Sequence, residues 1–224
     1  MSQTSMSAAL QNLQDLYSNN KFQEGIDLLL ESKSEWEPSQ FHELLGAFHM
    51  KLEHFAAARY HFEMAMSKGA IGPTLSHNLD YVLQQLGVSG GYYSTWMEKT
   101  IDYLNLVPFE LWVSLSLICL ALSFWRMRQR LALGNKAAII TFWLLALVPQ
   151  ILYWGVLEGR NAAIVLQEAP LYEGPSAVFA SPKTVRAGEK VLIDKSSDGW
   201  AFIVSPQVLS GWIESKSLGF LGGR

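Results

Sequence analysis

Five histidines are the residues in this sequence best suited to chemistry, and all lie between positions 42 and 77: His42, His49, His54, His61 and His77. Imidazole ligates transition metals and exchanges protons near neutral pH. The run His-Glu-Leu-Leu-Gly (42–46) opens like a zinc-binding helix of the His-Glu-x-x-His type, which needs its second histidine one turn on, on the same face. Gly46 stands there instead. His49 is two turns along, with no cysteine or carboxylate pattern to complete a ligand set, so no metal site is expected. The single cysteine, Cys119, lies in an apolar stretch, so it can form no intrachain disulfide and offers no usable thiol. No serine–glycine elbow, phosphate-cradling loop or apolar carboxylate pair is present. The expectation is a non-enzymatic chain with no cofactor.

Three kinds of texture must therefore carry the function. The 224 residues have a formal charge of −3, which gives no basic bias towards nucleic acid. Half are hydrophobic and 17% charged, below the roughly 25% of ordinary soluble domains. Charges crowd the first hundred residues and the last sixty and nearly vanish between them.

In the first ninety residues the apolar positions repeat at helical steps. Leu44, Leu45, Phe48 and Leu52 are followed, after the short turn Lys-Leu-Glu-His, by Phe55, Ala58, Phe62, Ala65 and Met66. Small residues at Gly46, Ala58 and Ala65 let two antiparallel helices approach closely. Leu13, Phe22, Gly25 and Leu29 each stand 33 residues before Gly46, Phe55, Ala58 and Phe62. Asn78–Leu79 and Leu86–Gly87 begin a partial third copy, and Pro38 and Pro73 punctuate the boundaries. The pattern resembles the tetratricopeptide repeat, two and a half copies over residues 1–90. The first helices of such an array line a groove, here Gln14, Tyr17, Glu43, Ala47, Met50, His77, Tyr81 and Gln84. The functional reading is protein docking; the plain one is a solvated face of a spacer.

Residues 106–125 and 137–157 each hold about 20 nearly uncharged residues, the length that crosses roughly 30 Å of hydrocarbon. They predict two transmembrane helices, the second kinked at Pro149–Gln150. The loop between them, 126–136, carries Arg126, Arg128, Arg130 and Lys136 without an acid, which predicts a cytoplasmic loop with both flanking domains outside. Residues 91–105 predict an amphipathic juxtamembrane helix, capped at Ser94 with Trp96, Met97, Ile101 and Leu104 on one face. In the first span Ser116, Cys119 and Ser123 form a small, weakly polar stripe of the kind that packs against other helices.

From Asn161 to about residue 220 short alternating runs separated by turn residues predict a small all-β barrel. The runs are Ala-Ile-Val-Leu, Ala-Val-Phe-Ala, Lys-Val-Leu-Ile-Asp, Trp-Ala-Phe-Ile-Val and Gly-Trp-Ile-Glu. The order Gly-Pro-Ser (174–176), Ala187–Gly188–Glu189, Asp198–Gly199–Trp200 and Gly211–Trp212–Ile213 resembles a bacterial SH3-type domain. Trp200 and Trp212 are expected in its core rather than on a ligand.

Repeats, hairpin and SH3-type barrel in this order resemble the BatE-type proteins of the Bacteroides aerotolerance family. The resemblance implies a multidomain membrane protein with an all-α repeat domain, a transmembrane α-hairpin and a small SH3-like barrel. It implies a bacterial inner-membrane scaffold with periplasmic domains, partnered by von Willebrand factor A-domain membrane proteins and indirectly by a MoxR-type AAA+ ATPase. Its implied role is in envelope or stress tolerance. The family's usual cleavable signal is missing here, which weakens the outside placement of the repeats. The rival is a cell-wall sensor whose barrel binds peptidoglycan.

Overall fold

A computed structural model describes residues 3–88, 111, 113, 114, 116–118, 121, 161–178 and 180–222. Residues 1–92 and 161–224 form one compact unit and residues 93–160 a second.

Five α-helices open the first unit: α1 (Gln3–Ser18), α2 (Phe22–Glu31), α3 (Pro38–Lys51), α4 (Phe55–Ser67) and α5 (Pro73–Leu86). Pro38 and Pro73 sit in the first turns of α3 and α5, where a missing N–H costs nothing. The Glu37 carboxylate caps α3 by accepting the N–H groups of Ser39 at 2.9 Å and Gln40 at 3.1 Å. Each helix packs on the next along the chain. Two apolar clusters result. Leu13, Ile26, Leu29, Trp36, Phe41, Leu45 and Phe48 form one, and Ala58, Phe62, Ala65, Leu75 and Val82 the other. Glycine makes the close approaches possible. A Cβ at Gly25 would lie 2.3 Å from the Phe48 ring, and one at Gly46 would lie 2.5 Å from the Phe62 ring.

The last third folds into a seven-stranded antiparallel sheet. The strands are β1 (Asn161–Val165), β2 (Ala169–Tyr172), β3 (Ala180–Val185), β4 (Lys190–Ser197), β5 (Trp200–Ser205), β6 (Gly211–Glu214) and β7 (Leu218–Phe220). Their order in the sheet is β3-β2-β6-β5-β4-β1-β7. The β4–β5 hairpin turns on Asp198 and Gly199, at φ 44° and 83°, between the paired Ser197 and Trp200. Two central residues with positive φ match the right-handed strand twist. Gly199→Ala is expected to cost about 1 kcal/mol in urea-unfolding stability, because a Cβ disfavours that conformation whatever the space around it.

The sheet's core is wholly aliphatic: Ala163, Val165, Leu171, Val185, Val191, Ile193, Ala201, Ile203, Ile213 and Leu218 all belong to it. Trp200 and Trp212 do not. Along β5 and β6 the inward positions are Ala201, Ile203 and Ile213, so strand alternation turns both tryptophans to the other face, half-buried. The expectation that they close the core is corrected on that ground. Strands β2 and β7 were not expected: one contains Pro170, the other Gly219, and both are short. The run Ala-Val-Phe-Ala was expected as a strand, but Ala177 and Val178 lie in a turn and β3 begins only at Ala180.

The fold class itself is corrected. Among the described residues no helix is long and apolar enough to cross a membrane. A membrane protein built on a transmembrane hairpin, and with it the multi-pass inner-membrane placement, therefore has no support. That observation assigns no other compartment. The helices show no clear tetratricopeptide signature either. The small-residue periodicity marks where aromatic rings press on glycine, which is a packing requirement and not a family's property. The expected juxtamembrane helix 91–105, loop 126–136 and second span 137–157 lie outside the described residues, as do Cys119 and Ser123. Within the expected first span, the described positions Leu111, Val113, Ser114, Ser116, Leu117, Ile118 and Ala121 are helical, with Ser116 half-buried.

Candidate functional site

Helix α4 is the centre of two polar arrangements. The first joins it to the sheet. Arg59 is fully buried, and its Nε donates to Glu63 Oε1 at 2.8 Å, one turn along the same helix. Its Nη1 donates to the Gly188 carbonyl at 2.7 Å, just before β4. Lys190 Nζ, in β4, reaches the second oxygen of Glu63 at 2.7 Å. The three side chains are 1%, 10% and 16% exposed for Arg59, Glu63 and Lys190, so the network is almost dry. Around it the backbone comes close enough to exclude side chains. A Cβ on Gly188 would meet Leu86, and one on Gly219 would meet the Tyr60 ring, each at 2.6 Å. Charge pairs this well shielded fix one relative placement of the parts that carry them, since any slip strands a buried ion.

The second arrangement lies along the seam of α3 with α4. His42 Nδ1 and His61 Nδ1 are 2.9 Å apart, with ring centroids at 5.2 Å and planes inclined 28°. The centroid separation exceeds the nitrogen separation by two ring radii, so the rings meet edge to edge, with one N–H donating to the other's lone pair. His49 lies parallel to His61, centroids 5.3 Å apart, and His54 lies 5.9 Å beyond His49. Tyr60 meets His61 and His42 edge-on at 5.0 and 6.3 Å. Burial lowers the proton affinity of all three inner rings. For His61 burial, then His49 and His42, bring the pKa down to about 3. For His42 the causes after burial are Lys33 and Lys68, and for His49 the neighbouring His54. His49 Nδ1 is buried without a hydrogen-bond partner.

Sequence reasoning weighed these histidines along one helix and missed the pairing across two. Both pairs, His42 with His61 and His49 with His54, are symmetric about the Lys51–Leu52 bond. That symmetry is what an antiparallel helical hairpin turning there requires, and it was a usable signal. Among the described residues no group of three or more His, Cys, Asp or Glu side chains is placed to hold a metal ion.

The expected groove residues separate into two kinds. Gln14, His77 and Gln84 are exposed, and Tyr81 is 44% exposed with its ring edge 6.3 Å from Phe55. Tyr17, Glu43, Ala47 and Met50 are half-buried. Tyr17 packs edge-on against Phe22 and Phe48 at 5.5 Å each and lies under Lys51, while Ala47 and Met50 pack on the second apolar cluster. Tyr17 and Met50 thus serve the helical core as well as any surface.

On the sheet's outer face Trp212 lies opposite Phe202 at 5.4 Å, and Tyr172 meets Trp200 edge-on at 5.0 Å. Beside Tyr172 is a depression of about 160 Å³ lined by Gln167, Glu168, Pro170, Glu214 and Lys216. Sites for small ligands commonly hold about 300–1,000 Å³. Comparison with protein-family models, with curated proteins and with solved structures finds no match to this chain.

Proposed function

We propose that this chain is a non-catalytic docking scaffold, in which the helices and the sheet are fastened together as one block that presents partner-binding faces. The observation that carries the reading is the buried Arg59–Glu63–Lys190 network. Such a joint gives a block of fixed shape, and a fixed shape lowers the ordering cost of seating a partner. The exposed Gln14 on α1, and His77, Tyr81 and Gln84 on α5, supply polar and aromatic contacts. The partners proposed are von Willebrand factor A-domain proteins and, through them, a MoxR-type AAA+ ATPase. The proposed role is in stress tolerance.

The test is co-purification of partners with the tagged full chain, identified by mass spectrometry. Replacing Gln14 by Ala, Tyr81 by Ser and Gln84 by Ala together is expected to lower recovery at least about 30-fold. One aromatic anchor is worth about 2 kcal/mol or more at an interface. All three side chains are at the surface, so circular dichroism and the unfolding midpoint should be unchanged. Full recovery of the same partners by the folded triple variant would show that this face is idle.

A further inference from the structure

We infer that the seam between α3 and α4 is an acid-sensitive joint, closed by the edge-to-edge bond of His42 with His61 and opened when both rings carry protons. The inference goes beyond the docking reading and does not depend on it. The bond needs at least one lone pair. Two imidazolium rings offer only N–H groups, which would point at one another across 2.9 Å. Beyond that contact the seam is filled with more of the same chemistry. His49 lies flat against His61, and His54 closes the row from the turn end.

The groups that face the rings give an added proton little help. Lys33, in the turn after α2, and Lys68, just past α4, bear on His42 as cations. Tyr60 presents its ring edge-on to His42 and His61, and Phe41 does so to His42. His54 bears on His49. The His49 ring, whose buried Nδ1 has no hydrogen-bond partner, would take up a further proton if the seam opened.

The direction of the effect follows from proton counting. Above the ordinary histidine value of 6.5 folded and unfolded chains bind equal numbers of protons at these rings. As pH falls below 6.5 the unfolded chain takes them up and the folded chain refuses them, until about pH 3 for His61. Stability held at neutral pH is lost across that window. Because α4 also carries Arg59 and Glu63, an opened seam reaches the joint with the sheet.

Urea unfolding of the full chain at steps from pH 7.5 to pH 5 tests this. Each excluded proton should raise the unfolding constant about tenfold per pH unit. In His61→Gln that slope should be shallower by about that factor, and in His42→Gln it should also flatten. Asn78→Ala, which removes no titratable group, should keep the parent slope. Each slope is read within one variant, so any loss of stability at neutral pH does not enter the comparison. Amide exchange at pH 5.5 should quicken in α3 and α4 before it does in β4 and β5. Equal slopes in the parent and His61→Gln, or exchange quickening first in the sheet, would overturn the inference.

Discussion

Replacing Glu63 by Ala is expected to remove about 3–5 kcal/mol of folding stability, a fifth or more of the roughly 5–15 kcal/mol a domain commonly has. The carboxylate lies between Arg59 and Lys190 and accepts from both, at 2.8 and 2.7 Å. Without it two cations, 1% and 16% exposed, face each other where water cannot screen them. The asymmetry of buried ion pairs sharpens the test. Converting Arg59, Glu63 and Lys190 together to Met should cost far less than Glu63→Ala alone, because no ion then remains to be desolvated. Urea unfolding gives both values. Amide exchange should show β4 and the N-terminal half of α4 losing protection together in the single variant. If Glu63→Ala unfolds within about 1 kcal/mol of the parent, the network is wet in solution and the helices and sheet are not fastened by it.

That joint could not be read from the sequence, and the reason is distance along the chain. Arg59 and Gly188 are 129 positions apart, and nothing in either neighbourhood marks one as the other's partner. The local features were legible. Gly46 and Gly25 marked close approach, Pro38 and Pro73 marked helix starts, and Asp-Gly marked the β4–β5 turn, because each is a short-range steric or dihedral requirement. The tryptophans were misplaced for want of parity. Reading Trp200, Phe202 and Val204 as one face, and Ala201 and Ile203 as the other, sets rings against aliphatics, and the aliphatic set is the one buried in the core. The histidine seam lay between these cases, visible by symmetry about the hairpin turn but hidden while each helix was read alone. The transmembrane hairpin was inferred from length and apolarity, two properties that state how a segment partitions and not how it folds.

The interlock of glycine and aromatic ring predicts the other large effect. Phe62 is fully buried, and its ring lies against Gly46 of the facing helix. Phe62→Ala is expected to cost about 3–5 kcal/mol, the transfer of a buried ring plus the cavity left at the α3–α4 seam. Gly46→Ala places a methyl group 2.5 Å from the same ring, where something must move, and is expected to cost about 1–3 kcal/mol despite alanine's better helix propensity. The two changes should not add. With the ring gone the methyl group has room, so Gly46→Ala made in the Phe62→Ala background should be neutral or stabilising by up to about 1 kcal/mol. The double-mutant cycle then returns a coupling of about 1–4 kcal/mol, of the sign that marks steric relief. Gly25 with Phe48, at 2.3 Å, should behave alike, since the same contact recurs one helix pair earlier. Urea unfolding of the four chains in each cycle measures it. Additive costs at Gly46 and Phe62 would mean that the ring turns aside freely, and that glycine at this position is not what allows α3 and α4 to pack.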